Sequence, residues 1–271
     1  MMKTKIFFFD LDGTLLNTEK QITPDTYAAL CEWHDAGNLI AISSGRPLVS
    51  ILQVIKEQKL EDFKPFAVAF NGSQIYSCRE GRDIIRKSIP MKDVMEVGRM
   101  AADIGLHCHS YDKNGILAPR MNDELRYYTR VVKLPIKLLS DFPEGIPEPP
   151  CKMLCIDLQE NGRLDKMISL IKRDSLTTIR SNPWYLEVFN STAGKGAAVK
   201  ELADHLQIDA ADTIAAGDEE NDISMIKAAG CGVAMCNGNP QVFASADIVT
   251  AADNDHDGLA PIIRSHLSDI C

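Results

Sequence analysis

The sequence predicts an α/β core, a parallel sheet with helices on both faces, interrupted by an α+β insertion. Two observations carry this. Units of apolar run, polar turn and helix recur at Ile6–Phe9, Asn38–Ile42 and Thr213–Ala216, the pattern of a doubly wound parallel sheet. Between the second and third units lie roughly a hundred residues with a different, mixed pattern, enough for one small domain. Right-handed crossovers place parallel strand ends on one edge, so the turns after Phe9, Ile42 and Ala216 are expected to meet in space.

The first unit, Ile6-Phe7-Phe8-Phe9, is continuously apolar, as a strand buried on both faces should be. It runs into Asp10-Leu11-Asp12-Gly13-Thr14, which delivers two carboxylates to the edge where such sheets bind ligands. A helix is expected from Pro24 to about Ala36. Thr23 would be its N-cap, Pro24 its first residue and Gly37 its terminator, with Ala28, Leu30, Cys31 and Trp33 forming its apolar face. The second strand ends in Ser43-Ser44-Gly45-Arg46-Pro47, and Pro47 suits the first turn of a helix over about Leu48–Gln58. An apolar run at Phe66–Phe70 leads to Asn71-Gly72-Ser73.

The pattern changes near Arg82. Expected there are a helix at Met91–Ala102, strands at Leu106–Tyr111 and Gly115–Pro119, and a helix at Asp123–Val131. Leu138–Pro150 carries four prolines and reads as a loop. A strand at Met153–Leu158, a helix at Leu164–Arg173 and strands at Thr177–Arg180 and Leu186–Val188 follow. His107 and His109 alternate on an expected strand and read as strand-surface residues. The third unit ends in Gly217-Asp218, before a helix over about Asp222–Ala229. The expected division is 1–81 and 187–271 as core, with 82–186 as the inserted domain.

Composition narrows the function. The chain has 271 residues and a net charge of −9. An acidic chain without a basic run is a poor binder of phosphate backbones, so nucleic acid is not an expected partner. No stretch approaches a membrane span, and no secretory leader is visible. The eight cysteines include no C-x-x-C pair, which argues against zinc and for free thiols in a reducing cytoplasm.

Asp10, Asp12, Asp218 and Asp222 are the candidate chemical groups. Two carboxylates about 4 Å apart repel by roughly 4 kcal/mol at an effective dielectric near 20. Four at one sheet edge therefore call for cations. Mg2+ is hard, prefers oxygen and commonly takes one or two carboxylates plus substrate phosphate. Lys195, in Gly194-Lys195-Gly196, offers a second positive charge and Ser44 a hydroxyl. Carboxylates, metal, lysine and amide donors are what phosphoryl transfer needs, namely positioning and charge neutralisation. Other chemistries fit less well: there is no P-loop, no G-x-G-x-x-G after a strand and no G-x-S-x-G elbow.

These residues resemble the haloacid dehalogenase (HAD) superfamily, in its Cof-type IIB branch. The resemblance rests on Asp10-Leu11-Asp12-Gly13-Thr14-Leu15, on Ser44-Gly45-Arg46-Pro47, on Lys195-Gly196 and on Gly217-Asp218-Glu219-Glu220-Asn221-Asp222, in that order. Asn71-Gly72 and Asp253-Asn254-Asp255-His256-Asp257-Gly258 add to it. It implies a Rossmann-like core with an α+β cap of the C2B type. It implies Asp10 as nucleophile, forming an aspartyl-phosphate, and Asp12 as the acid and then the base. Mg2+ would be held by the side chains of Asp10 and Asp218 and the carbonyl of Asp12, with Asp222 supporting the metal or steadying Lys195. Ser44, Lys195, Asn221 and the backbone N–H groups of Leu11 and Gly45 would bind the phosphoryl oxygens. Arg46 and Asn71 stay open between substrate contact and local pairing.

The expected activity is Mg2+-dependent hydrolysis of a small phosphorylated metabolite, sugar phosphates favoured. Substrate choice would lie in the cap, around Leu106–Arg120 and Cys151–Trp184. A phosphomutase, or a non-catalytic phosphometabolite-binding protein, is the alternative. The expected assembly is a monomer or small homo-oligomer.

Overall fold

The computed structural model describes residues 3–267; Met1, Met2 and residues 268–271, Cys271 among them, lie outside the described residues. In chain order the elements are β1 (Ile6–Phe9), α1 (Pro24–Asp35), β2 (Leu39–Ser43), α2 (Leu48–Glu57), β3 (Phe66–Ala69), β4 (Gln74–Ser77), β5 (Arg82–Arg86), α3 (Met91–Asp103), β6 (His107–Tyr111), β7 (Ile116–Ala118), α4 (Asp123–Val131), β8 (Ile136–Leu138), β9 (Lys152–Ile156), α5 (Arg163–Leu170), β10 (Leu176–Asn182), β11 (Tyr185–Asn190), α6 (Lys195–Leu206), β12 (Thr213–Gly217), α7 (Ile223–Ala228), β13 (Cys231–Ala234), α8 (Pro240–Phe243), β14 (Ile248–Val249) and α9 (Leu259–Ser265). They form two compact units. Among the described residues, one comprises residues 3–46, 51–85 and 194–267; the other comprises Pro47–Ser50 and Arg86–Ala193.

The first unit is built on an eight-stranded sheet of order β14-β13-β12-β1-β2-β3-β4-β5. From β14 to β3 all neighbours are parallel, and β3 pairs with β4 antiparallel. The chain builds outward from β1 in both directions, so the strand order reverses between β1 and β12. That reversal opens the crevice in which doubly wound sheets bind ligands.

β1 sits at the centre because both its faces can be buried. Phe7 and Phe9 stack at 4.1 Å between ring centroids, and Phe7 meets Trp33 of α1 edge-on at 5.8 Å. Phe8 points to the opposite face, into a cluster with Ala198, Val199 and Leu202 of α6. Fully burying one such side chain contributes roughly 1.5–3 kcal/mol. On α1 the buried face is Thr26, Ala29, Leu30 and Trp33, not the expected Ala28 and Cys31, which lie exposed and half-buried. Thr23 holds the N-cap position, but its side chain makes no capping hydrogen bond. Pro24, which has no N–H to cap, opens the helix.

β5 is the last strand of this sheet, and Ile84 and Ile85 pack on the same apolar cluster as Phe8. The first unit therefore reaches Ile85, a few residues beyond the expected division at 81 and 82.

The second unit has a six-stranded sheet of order β10-β11-β9-β6-β7-β8, antiparallel except for the β7–β8 pair. β8 is not among the expected strands; hydrogen bonding to β7 recruits Ile136–Leu138, which ends on the first residue of the segment expected as a proline-rich loop. β11 runs to Asn190, so this sheet extends past the expected boundary at 186. One sheet face, including Cys108, Met153, Cys155, Leu186 and Val188, packs on α3 and α5.

The two histidines are not on the surface: His107 is 4% exposed and His109 is fully buried. Tyr128 of α4 covers them, its ring 4.9 Å from that of His109. A hydrogen-bonded chain joins His107 Nε2 to His109 Nδ1 at 3.0 Å, His109 Nε2 to Tyr111 Oη at 3.1 Å, and Tyr111 Oη to Tyr128 Oη at 2.6 Å. Alternation along β6 shows that the two histidines share a face. It could not show that a helix caps that face.

Candidate active site

Register determines what meets at the sheet edge. Phe9 pairs with Ala216 on one side and Ile42 on the other. The residues that follow, Asp10, Gly217-Asp218 and Ser43-Ser44, therefore leave the sheet side by side. The Asp10 amide donates to the Ala216 carbonyl at 3.0 Å, and the Ser44 amide donates to the Val68 carbonyl at 2.9 Å.

At this edge the carboxylates of Asp10, Asp218 and Asp222 come together, each offering an oxygen within 4.8 Å of the others. All three are buried, at 7%, 7% and 1% exposure. Lys195, the first residue of α6, is buried with them. Its Nζ donates to Asp10 Oδ1 at 2.5 Å and to Asp222 Oδ1 at 2.6 Å. The other oxygen of Asp222, Oδ2, accepts the backbone N–H groups of Asp218 and Glu219, both at 3.1 Å. Thr14 Oγ1 donates to Asp218 Oδ1 at 2.7 Å. Thr14 lies within the first motif, but no local signal marks it as the partner of Asp218, which is more than two hundred residues away.

Gly13 has to be glycine. Its φ is +86°, and a Cβ there would run into the Asp218 carboxylate.

The electrostatics follow from burial. Loss of hydration pushes Asp10 well above the ordinary carboxylate range; the nearby Asp222 and Asp218 add to this, and Lys195 works against it. Burial likewise pushes Asp218 up to about 6, with the Thr14 hydrogen bond opposing. For Lys195, the cost of burying the ammonium is outweighed by Asp10 and Asp222, so its pKa is raised. Ionised together, the three carboxylates would leave two negative charges unbalanced against the one ammonium, and this adds to the cost of ionising Asp10 and Asp218 without a cation. The donor set is all oxygen and preorganised by backbone N–H groups, and it fits a hard divalent cation.

Asp12 is not part of that cluster through its side chain. Arg46 holds the Asp12 carboxylate through two hydrogen bonds, Nε to Oδ2 at 2.9 Å and Nη2 to Oδ1 at 2.7 Å. Lys20 Nζ adds a third, to Oδ1 at 2.8 Å. Burial raises the Asp12 pKa, but Arg46 and Lys20 outweigh it and hold the group below the usual range. The sequence carries no signal for Lys20, which reaches Asp12 only because a turn at residues 17–21 folds back.

Ser44 is buried, and its Oγ accepts the Arg46 amide at 3.2 Å, leaving the hydroxyl proton to donate. The space above Gly45 is filled by the Asn71 side-chain amide, which would stand 3.0 Å from a Cβ. The Leu11 side chain is buried in the core. Asn221 lies in the turn just before Asp222 and is exposed.

The chain is similar to known proteins over nearly its whole length. Residues 7–263 match the family model of haloacid dehalogenase-like hydrolases. A protein of Streptococcus pyogenes with phosphatase in its name is 32% identical, over 97% of this chain and 98% of that one. A 5-amino-6-(5-phospho-D-ribitylamino)uracil phosphatase of Bacillus subtilis is 28% identical, over 98% of this chain and all of the relative. Among solved structures, a haloacid dehalogenase-like hydrolase from Bacteroides thetaiotaomicron superposes with a TM-score of 0.86 at 28% identity, covering 97% of this chain and 99% of that one. A HAD subclass IIB sugar phosphatase superposes with a TM-score of 0.81 at 26% identity, covering 97% and 98%. This chain belongs to the haloacid dehalogenase-like hydrolases, in their Cof-type IIB branch, and is a phosphatase.

Proposed function

We propose that this phosphatase hydrolyses phosphomonoesters of small metabolites, sugar phosphates favoured, with Mg2+ and through an aspartyl-phosphate on Asp10. The observation that carries this reading is the Asp10–Lys195–Asp222 cluster beside Asp218 at the point where the strand order reverses.

Lys195 takes Oδ1 of Asp10, so Oδ2 is the oxygen that attacks phosphorus. The P–O bond to the leaving group breaks as the Asp10–phosphorus bond forms, and Asp12 gives its proton to the departing alkoxide. Asp12 then takes a proton from the water that cleaves the aspartyl-phosphate. Held by Arg46 and Lys20, Asp12 is a carboxylate, which suits the second of these steps. Its role as acid requires it first to take up a proton from solvent, which becomes favourable as the phosphoryl dianion of the substrate draws off the two cations. Asp222 positions Lys195. Lys195, the Ser44 hydroxyl, Asn221 and the backbone N–H groups of Leu11 and Gly45 bind the phosphoryl oxygens. Asp10 and Asp218, with the carbonyl of Asp12, would hold Mg2+, which neutralises phosphoryl charge when bound.

The unit Arg86–Ala193 is read as the cap that chooses the substrate, an inference from family resemblance and from the sugar phosphatase among the structural relatives. A cytoplasmic address rests on cysteine usage. No helix among the described residues is long and apolar enough to cross a membrane.

The test is phosphate release from p-nitrophenyl phosphate, with and without Mg2+, by the wild type and Asp10→Asn. The expected result is Mg2+-dependent release by the wild type and a loss of at least about a thousandfold in Asp10→Asn, on the scale of removing a residue that acts as part of a catalytic unit. Equal rates in the two proteins would exclude Asp10 as nucleophile.

A further inference from the structure

The segment Asp253-Asn254-Asp255-His256-Asp257-Gly258 has no part in the mechanism above, although it places carboxylates at three alternate positions. A cation loop would turn those carboxylates toward one point. Here they diverge. Asp253 Oδ1 accepts the Asp255 amide at 3.0 Å and His256 Nδ1 at 2.7 Å, within its own loop. Asp257 Oδ1 accepts the Thr26 amide at 3.1 Å, at the first turn of α1. Asp255 turns to Thr18: Oδ1 accepts the Thr18 amide and Oδ2 its hydroxyl, both at 2.7 Å. Beside it, Asn254 Nδ2 donates to the Leu16 carbonyl at 2.9 Å. Asn254 N donates to Asn237 Oδ1 at 3.3 Å, and Asn237 Nδ2 reaches the Gly13 carbonyl at 2.8 Å.

Apart from the Asp257 contact with α1, the tethers that leave the loop reach the segment after Asp10, at Thr18 and Leu16 directly and at Gly13 through Asn237. That segment is a tight turn followed by a folded-back tip. Leu15 N donates to the Asp10 carbonyl, Leu16 N to the Leu11 carbonyl, and Asn17 N to the Gln21 carbonyl. The tip carries Lys20, with φ at +62°, onto Asp12. Much of its backbone is irregular, so neighbouring side chains rather than a helix or sheet ladder fix its position. Gln58 adds two further ties, to Ile22 N and the Lys20 carbonyl.

We propose that the Asp253–Gly258 loop is a clamp that positions the Asp12-bearing segment for proton transfer, with Asp255, acting through Thr18, as its principal positioning residue. The inference rests on Asp12 serving as the acid in the reading above. Asp255 touches neither the Asp10 cluster nor Asp12. It sets where the 11–18 backbone places the Asp12 side chain, and errors of about 1 Å in such placement can cost about a hundredfold in rate.

Leaving-group dependence tests this. p-Nitrophenolate departs from phosphorus without help from a proton, whereas phenolate needs one, and the two aryl phosphates have similar shapes. kcat/KM reports transfer to Asp10 and excludes the later hydrolysis. Asp255→Ala is expected to lower kcat/KM for phenyl phosphate by about 10- to 100-fold, and to lower it for p-nitrophenyl phosphate by a factor at least threefold smaller. Asp255→Asn keeps one acceptor oxygen and is expected to recover part of the loss. In an Asp12→Asn background the added Asp255→Ala should no longer widen the gap between substrates. Asp255 is exposed, so a purely structural role would lower both substrates equally, in step with any fall in melting temperature. Losses within threefold of each other for the two substrates, or no loss, overturn the proposal. Asp10→Asn measured alongside separates the cases. If it keeps wild-type activity, the reading of the site fails; if it is inactive, the outcome bears on the clamp alone.

Discussion

Replacing Lys195 with methionine keeps the volume of the side chain and removes its charge. In the metal-free protein this leaves Asp10 and Asp222 buried without the ammonium that bridges them at 2.5 and 2.6 Å. At an effective dielectric near 20, each contact contributes roughly 6 kcal/mol of Coulomb attraction. Most of that is offset by the desolvation of the ions, several kcal/mol for each. What remains is the cost of stranding buried charge, about 3–5 kcal/mol when one partner of such a pair is removed. The fall should be read by urea unfolding in EDTA, in a Trp184→Phe background. The chain has two tryptophans, so Trp33, fully buried between α1 and β1, then reports on the core unit alone. Adding Asp10→Asn to Lys195→Met removes one of the stranded carboxylates and should restore at least about 1 kcal/mol, a coupling typical of residues in contact. A Lys195→Met loss below about 1 kcal/mol, or an Asp10→Asn change that deepens the loss, would show that the cluster is not the buried ion network its geometry indicates.

Further predictions concern pH and the backbone. The carboxyl of Asp218, raised to about 6, must lose its proton before it can hold a cation, so Mg2+ affinity should fall as pH drops through about 6; thermal stabilisation by Mg2+ at pH 7.5 and 5 measures this, and equal shifts would contradict it. His107 is pushed down to about 4, by burial first and by the nearby Arg120 charge second. It is neutral in the fold, whereas the unfolded chain binds a proton below about 6.5. Its contribution to stability is therefore full above about 6.5 and is lost as pH falls toward 4, by up to about 3 kcal/mol. His107→Gln should show a shallower loss of urea stability over that window, and slopes identical to the wild type would refute the assignment. Gly13→Ala should cost at least about 1–2 kcal/mol and weaken Mg2+ binding together, because it pays for a positive φ while displacing Asp218; calorimetry with and without Mg2+ would show both, and an unaltered metal response would refute the link.

Short-range signals made much of this protein legible from its sequence. β1 could be recognised because a strand buried on both faces must be apolar throughout, and Asp10 and Asp12 because the run ends abruptly in charge. The pairing of Asp10 with Asp218 followed from parallel topology alone, since strands wound in one hand bring their ends to one edge. The family resemblance supplied the order of the motifs. Local pattern did not reach the contacts made by side chains far apart in the chain. The covered face of β6 depends on α4, whose docking no alternation can encode. Lys20 meets Asp12 only through the fold-back of the 17–21 turn, Arg46 reaches it from just past the end of β2, and Asp255, more than two hundred residues later, accepts the Thr18 amide and hydroxyl in that turn. Composition and periodicity decide which face of an element is buried. Which buried or clamped groups then face one another is decided only when distant segments pack, because that is the step at which desolvation makes every unpaired charge costly.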